Sequence, residues 1–261
     1  EKDLHAFSPV REPMKILLPP SETKRPGGSG APLALEALAL PDLASRRAEV
    51  VDALVQLAHD PAESKRVLKL SDRQLDEISH NRVLRSAPTM PAVDRYTGVL
   101  YDALDAASLS APARRWLGAH VWVHAAPFGP VGALDGIPSY RLAAGTSLPG
   151  VAPLRRHWAD AVRAVIAQEE PDFVLDLRSE AYVALGPVPA SVPSAYVRVV
   201  TEQGRALNHF NKKAKGELVR ALAEDRSRAR GLRGLETWAA SSGILIRRAE
   251  EDGVIELVVA S

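Results

Sequence analysis

The sequence predicts an α/β fold, a single compact domain with a mixed sheet flanked by helices. Early in the 261-residue chain, short apolar runs alternate with helical periods, the order typical of layered strands and helices. Near the end, two strand-like runs meet around Asp252-Gly253, and such a hairpin adds antiparallel pairing to the sheet. Composition agrees with a globular domain, at 46% hydrophobic and 25% charged residues.

The elements of the first half follow from apolar spacing. Residues 1–13 show no period, so we treat them as an extension, native or left by expression, and residues 14–261 as the domain. The run MKILLPP, 14–20, is a strand stopped by two prolines, and 21–32 is a polar loop. Helices are predicted over 43–59, over 62–70, over 72–80 after Ser71 as a cap, and over 94–106.

In the second half, a long Gly- and Pro-rich loop separates a strand from a helix. Loops of this length, 128–150, are usually functional or disordered. Residues 194–210 predict two strands around a turn at Gln203-Gly204. The other predicted elements are strands over 119–126, 172–179, 243–248 and 254–259, and helices over 153–168, 212–224 and 231–240.

The composition excludes several classes of function. Without cysteine the chain has no disulfide, thiolate metal site or cysteine nucleophile. No apolar run approaches the ~20 residues that span a bilayer, and MKILLPP is too short for a signal peptide. The lack of cysteine fits a reducing cytoplasm, and we expect no membrane partner. Phosphate-loop, dinucleotide and serine-hydrolase motifs are absent, the histidines show no metal-ligand spacing, and we expect neither metal nor cofactor.

Two motifs follow predicted strands and carry charged side chains. In PPSETK, Lys24 is a candidate nucleophile or base and Glu22 can orient it or accept a proton, unless both are solvated loop charges. In DLRSEAY, Arg178 has acidic neighbours in Asp176 and Glu180. These groups form either an anion clamp, with Ser179 beside it, or an internal ion-pair network.

Two further motifs offer tyrosines. Tyr140 and Arg141 lie in IPSYRLAAG, where Tyr with Arg can stack on a base or bind a carboxylate. The alternative is that Arg141 donates to loop carbonyls. Tyr96 lies in RYTG, and its alternative role is to pack in the core.

Lysines are concentrated where the helix predicted over 212–224 begins. Cations at a helix N-terminus oppose the macrodipole, at a cost of a few tenths of a kcal/mol unless an anion is near. Free backbone N–H groups there would also bind a phosphate or carboxylate. The alternative is a solvated basic face, since the net charge of the chain is only +1. The predicted anion- or DNA-binding residues of this segment are His209, Asn211, Lys212, Lys213 and Lys215.

Taken in order, these motifs resemble the YaaA peroxide-stress protein family in its actinobacterial-type branch. The matching stretches are MKILLPPSETKRPGG, RYTGVLYDAL, IPSYRLAAG, DLRSEAY and HFNKKAKGELVRAL. The resemblance implies a cantaloupe-like α/β fold, a cytoplasmic role in peroxide stress, and DNA binding in a positively charged cleft. It also implies a helix-hairpin-helix-like element near 61–85. The implied cleft residues are Lys24, Tyr96, Tyr140, Arg141, Arg178, Lys212, Lys213 and Lys215.

Two departures from the family pattern favour an alternative function. PFGPVGALDG lacks the tryptophan and arginine of the family's LWGLVRP, and Glu180 replaces a small residue. A lost base and an added acid should weaken polyanion binding. The alternative is an enzyme of lyase or hydrolase type, such as a paralogue recruited to biosynthesis, acting on a small anionic substrate, aromatic or not. A third option is an inactive scaffold.

In the enzyme hypothesis each candidate has a role. Lys24 is base or Schiff-base nucleophile, and Arg141 and Arg178 clamp the anion. Proton transfer falls to Glu22, Tyr96, Tyr140 or Glu180. Under either function, DNA binding or catalysis, the basic groups are expected to converge on one concavity.

Overall fold

The computed structural model describes residues 13–207 and 210–260. The predicted extension, apart from Pro13, and the candidate His209 lie outside this part of the chain. The strands are β1 (Lys15–Leu18), β2 (Met90–Pro91), β3 (Val121–Ala125), β4 (Gly129–Gly132), β5 (Gly136–Ile137), β6 (Val174–Asp176), β7 (Ser194–Thr201), β8 (Leu245–Arg248) and β9 (Val254–Val259).

Helices surround these strands, together with short 3-10 segments. The α-helices are α1 (Ala44–Leu57), α2 (Pro61–Leu68), α3 (Ile78–Arg82), α4 (Ala92–Arg95), α5 (Val99–Leu104), α6 (Ala111–His120), α7 (Leu154–Glu169), α8 (Glu180–Leu185), α9 (Phe210–Glu224) and α10 (Leu232–Ser241). The 3-10 segments are Leu35–Ala37, Pro41–Leu43, Asp72–Glu77 and Ala106–Ser108.

Seven strands form one mixed sheet in the order β4-β3-β1-β6-β7-β9-β8, which confirms the predicted fold class. The strands β3, β1, β6, β7 and β9 run parallel, and β4 and β8 pair antiparallel at the two edges. The interior strand β1, third in this order, is buried along its whole length, as its KILL sequence predicts. Strands β2 and β5 form a separate two-stranded sheet.

The order of the strands creates a switch point at the middle of the sheet. From β1 the chain goes on to β3 on one side, whereas from β6 it goes on to β7 on the other side. The loops that follow β1 and β6 therefore diverge and leave a crevice at the carboxyl edge of the sheet. Ligands of open α/β sheets usually bind in such a crevice.

The predicted helix over 94–106 is wrong, because the chain is extended in its middle. Helix α4 ends at Arg95, Tyr96 adopts φ −75° and ψ 141°, and α5 begins at Val99. Gly98 has a left-handed φ of 101°, which favours glycine. The break lets Tyr96 form an antiparallel bridge with Lys24, a tertiary contact that outweighs helix propensity.

The predicted loop over 128–150 contains β4 and β5. Arg47, fully buried on α1, donates to the carbonyl oxygens of Phe128 and Pro130 at 2.7 and 2.9 Å. Those bonds fix a segment whose glycines and prolines predict no regular structure. Likewise Arg95 is fully buried and donates to carbonyl oxygens of Gly27 and Ile137, joining the loop after β1 to β5.

Of the two strands predicted over 194–210, the first forms as β7, and the second is not found among its described residues, which end at 207 before a gap at 208–209. The turn at Gly204 is present, with φ 79°, but beyond it the pairing is a single bridge between Val200 and Ala206. Helices α6 and α8 were not predicted. The predicted helices over 43–59, 153–168 and 231–240 and the final hairpin are confirmed within a few residues.

Candidate functional site

A cavity of about 220 Å³ lies at the carboxyl edge of the sheet, beside the switch point. Its lining comes from the loop after β1, the segment after β5 and the start of α8. The lining residues are Pro20, Ser21, Glu22, Lys24, Tyr140, Arg141, Leu142, Ala143, Ala144 and Tyr182. Three of the five motifs thus contribute directly, Tyr96 of a fourth pairs with Lys24, and the lysine-rich fifth contributes no lining residue.

Lys24 is partly buried and faces aromatic rings. Its Nζ lies 4.2 Å from the ring centroid of Tyr140 and 5.8 Å from that of Tyr96, and donates to the Glu22 carbonyl oxygen at 3.2 Å. Burial, followed by the nearby Arg141 guanidinium, lowers the pKa of Lys24 to about 8, against the opposite effects of Glu77 and Glu22. The amine is therefore much easier to deprotonate than that of an exposed lysine.

The two candidate tyrosines form a hydrogen-bonded pair below this amine. Their hydroxyl oxygens are 2.7 Å apart, and both side chains are buried at 2% exposure. Burial raises the pKa of Tyr96 and of Tyr140 well above the usual phenol range, so both remain protonated. One phenol of the pair therefore donates a hydrogen bond to the other.

Arg141 is held by two acidic side chains and by its own backbone. Its Nη1 donates to Glu77 at 3.0 Å and its Nη2 to Glu22 at 2.8 Å. Its main chain exchanges two hydrogen bonds of 2.8 Å with the amide of Asn81. The guanidinium is consequently fixed at the wall of the cavity.

Arg178 is in the protein interior rather than at this cavity. It is fully buried, its Nε and Nη2 both bind the Asp176 carboxylate, and its Nη1 contacts His124 Nδ1 and the Gly186 carbonyl oxygen. Of the two roles predicted for Arg178, this geometry matches the internal ion-pair network. Ser179 and Glu180 are exposed at the start of α8. From this segment it is Tyr182 that reaches the cavity.

The lysines of α9 divide into two environments. Lys212 and Lys213 are exposed, and Lys213 forms a pair with Glu217 at 3.8 Å. Lys215 is only 5% exposed and lies 6.0 Å from the ring centroid of Tyr196. Burial lowers its pKa to about 8, partly offset by Asp176. The expected convergence of all basic groups on one concavity is therefore found only for Lys24 and Arg141.

Two residues of the site were missed by the sequence predictions. Glu77 stands in a polar stretch, DRQLDEISH, with no local signal that it binds Arg141. Tyr182 follows Arg178 by four residues in the DLRSEAY motif. That spacing is the signal in the sequence that could have identified Tyr182 as a neighbour of the site. Burial, and next the Glu22 carboxylate, raise the pKa of Tyr182.

Three of the six lysines and arginines near 61–85 pair with neighbouring acids. Lys65 binds Asp72 at 2.5 Å, Arg66 binds Glu63, and Arg85 binds Asp52 at 2.6 Å. Lys69 and Arg73 remain exposed. Such exposed ion pairs are weak and would exchange for phosphates at modest cost.

Three further properties of the described residues bear on what the protein can bind. A larger groove of about 510 Å³ between α9 and the β8–β9 hairpin is lined by apolar side chains and by Glu202 and Glu217, so it lacks the cations of the smaller cavity. Within residues 13–207 and 210–260, no three acidic or histidine side chains cluster to hold a metal ion. In that same part of the chain, no helix is both long and apolar enough to cross a bilayer.

Comparison with known proteins agrees with the motifs. The family profile described as "Peroxide stress protein YaaA" matches residues 14–241. A UPF0246 protein of Corynebacterium efficiens is 45% identical over 215 residues, covering 80% of this chain and 85% of that protein. A UPF0246 protein of Streptomyces coelicolor is 43% identical, covering 80% of this chain and 82% of that protein. A UPF0246 protein of Corynebacterium glutamicum is 40% identical, covering 89% of this chain and 94% of that protein. The chain therefore belongs to the YaaA peroxide-stress protein family, in its actinobacterial branch.

Proposed function

We propose that the Lys24 cavity binds a small anionic ligand and acts on it as an enzyme of lyase or hydrolase type, within the peroxide-stress response that gives the family its description. The observation that carries the proposal is the partly buried amine of Lys24, which lies over the Tyr140 ring and lines the cavity. With a pKa of about 8, about a tenth of this amine is unprotonated at neutral pH, against less than ~0.1% for an ordinary lysine.

The size and lining of the cavity favour a metabolite as ligand. Drug-sized ligands fill roughly 300–1,000 Å³, so about 220 Å³ suits a smaller molecule. Tyr140 presents an aromatic ring and Arg141 a planar guanidinium, which together suit a planar acid. Lys24 is positioned to serve as base or nucleophile, and the Tyr96–Tyr140 pair to supply a proton.

Arg141 would receive the anion by releasing Glu22. The Glu22 side chain is 72% exposed, whereas Glu77 on the other arm of the guanidinium is 35% exposed. An incoming carboxylate would replace the more exposed partner at low cost, because exposed ion pairs contribute little. The freed Glu22 carboxylate would then stand beside Lys24 as a proton acceptor.

The test uses a small anionic aldehyde as a probe. Glyoxylate should form an imine with the Lys24 amine, and borohydride should reduce that imine to a stable secondary amine. Peptide mass spectrometry should find this label on Lys24 in preference to the exposed Lys212 and Lys213. Arg141→Gln raises the Lys24 pKa and should therefore slow labelling by both aldehydes, but it should weaken labelling by glyoxylate about tenfold more than labelling by neutral acetaldehyde, because only the glyoxylate carboxylate loses a charge-assisted hydrogen bond. Equal labelling of Lys24 and Lys212 would show that the Lys24 amine is no more reactive than an exposed lysine and would reject the proposal.

Duplex DNA binding is a second candidate, supported by a different surface. Lys212 and Lys213 are exposed near the start of α9, and residues 205–233 contain nine basic residues against three acidic ones. Replacing both lysines by Gln should lower the slope of log affinity against log salt by about two, since each phosphate contact contributes ~0.9. Lys24→Ala should leave this affinity unchanged. Absence of binding even at low salt would remove the candidate.

A further inference from the structure

Lys215 is a buried ammonium with no direct partner among the described residues. It is 5% exposed, and no salt bridge or hydrogen bond joins it to another residue of that part of the chain. The nearest acid that influences it is Asp176, whose two carboxylate oxygens are both bound by Arg178. Its other neighbour is the Tyr196 ring, on the strand that pairs with the strand of Asp176. A buried cation in this state favours an external anion.

Asn211 lies one turn earlier on the same face of α9. Residues four apart are neighbours on a helix, and a lysine side chain runs back towards the helix N-terminus, so Lys215 extends towards Asn211. The Asn211 Oδ1 is buried and has no hydrogen-bond donor within the described part of the chain. One group of this face therefore lacks an acceptor and the other lacks a donor.

We propose that Lys215 and Asn211 form a site for a protonated oxyanion, of which hydrogen phosphate is the representative. The unprotonated oxygens accept from the Lys215 ammonium, in the N-terminal half of this 15-residue helix, where the helix dipole favours an anion. The remaining P–OH donates to Asn211 Oδ1. One ion thus gives the Lys215 ammonium an acceptor and Asn211 Oδ1 a donor.

Asn211 makes the site selective among anions. Sulfate and the phosphodiester of a nucleic-acid backbone carry no proton at neutral pH, so neither can donate to Asn211 Oδ1. This distinguishes the site from the exposed lysines considered for DNA. It is also separate from the Lys24 cavity, whose lining includes neither Asn211 nor Lys215, and it does not depend on the function proposed for that cavity.

The experiment is a calorimetric titration of the full chain with inorganic phosphate, with sulfate and with a short DNA duplex. Phosphate should bind about tenfold more tightly than sulfate, the value of one hydrogen bond to an ionised group. Asn211→Ala should reduce phosphate affinity to the level of sulfate and leave sulfate affinity unchanged. Lys215→Gln should weaken both inorganic ions, and Lys213→Gln, on the same helix but paired with Glu217, should weaken neither.

Dependence on pH gives a further criterion. The Lys215 pKa is about 8, so affinity for phosphate should fall as the pH rises through 8, where the ammonium is lost. Four results would overturn the site: no phosphate binding, equal phosphate and sulfate affinities, an equal effect of Lys213→Gln, or loss of phosphate binding in Lys24→Ala. The last would assign the phosphate to the Lys24 cavity instead. Tighter binding of the duplex that is lost in Lys215→Gln would assign the face to nucleic acid.

Discussion

At Lys24, burial and charge act on one amine from several directions. Burial and the Arg141 guanidinium disfavour the ammonium form, whereas the Glu77 and Glu22 carboxylates favour it. The ring faces of Tyr140 and Tyr96 give further electrostatic support to a cation. The ionisation of this side chain therefore depends on neighbours from four separate segments of the chain.

Replacing those neighbours should move the Lys24 pKa in opposite directions. Arg141→Gln removes a cation and should raise the pKa above about 8, whereas Glu22→Gln removes an anion and should lower it. The rate of acylation of Lys24, measured against pH by mass spectrometry, reports its pKa directly. Shifts of the same sign in both variants would show that structural relaxation, and not charge, controls the amine.

Among the elements, α9 depends on a close approach to α5. A methyl group built on Gly216 would lie 2.1 Å from the Leu100 carbonyl oxygen and 2.9 Å from the Ala103 Cβ. Only glycine allows α9 to pack this near to α5, and the packing keeps Lys215 beside Tyr196. The position of the basic helix thus depends on one residue without a side chain.

Gly216→Ala should therefore destabilise the protein strongly. Overpacking against backbone costs typically ~1–3 kcal/mol, and a helix-interior glycine regains less than ~1 kcal/mol on substitution by alanine. We expect a net loss of about 1–2 kcal/mol in denaturant unfolding. The control is Gly231→Ala, because its Cβ would meet nothing within 4 Å. Equal midpoints for the two variants would contradict the packing account.

At the scale of the whole molecule, the buried titratable groups make stability depend on pH. Lys24 and Lys215 both have a folded pKa of about 8, below the ~10.4 of an unfolded lysine. Between these values the unfolded chain holds more protons, so stability rises with pH. Above ~10 the raised pKa values of Tyr96 and Tyr140 reverse the sign, because the unfolded phenols ionise first.

The free energy of unfolding should accordingly pass through a maximum near pH ~10. Each lysine contributes up to ~3 kcal/mol to the rise, before other groups are counted. Urea unfolding measured from neutral to alkaline pH tests this. Lys24→Met with Lys215→Met should remove most of the rise and leave the fall above ~10. A rise retained in the double variant would mean that other groups cause it.

The parts of the site that lie within one short motif were predictable, whereas contacts between residues far apart in sequence were not. PPSETK and IPSYRLAAG identified Glu22, Lys24, Tyr140 and Arg141 as candidates, and the structure brings these together. No local signal showed that Glu77 would bind Arg141. The helix predicted over 94–106 was wrong for a related reason: the bridge between Tyr96 and Lys24 joins residues far apart in sequence.

The α/β class, most helices and strands, and the family could be predicted from the sequence. So could the side chains that are able to bind an anion or transfer a proton. Each of these follows from periodicity or from residues close together along the chain. The tertiary structure was needed to show that Arg178 forms an ion pair with Asp176 and that Lys215 is buried while Lys213 is exposed. It was also needed to show that the pKa of the Lys24 amine is lowered. Burial and pairing arise from contacts between distant segments, and desolvation, which has no local signature in the sequence, sets how those charges behave.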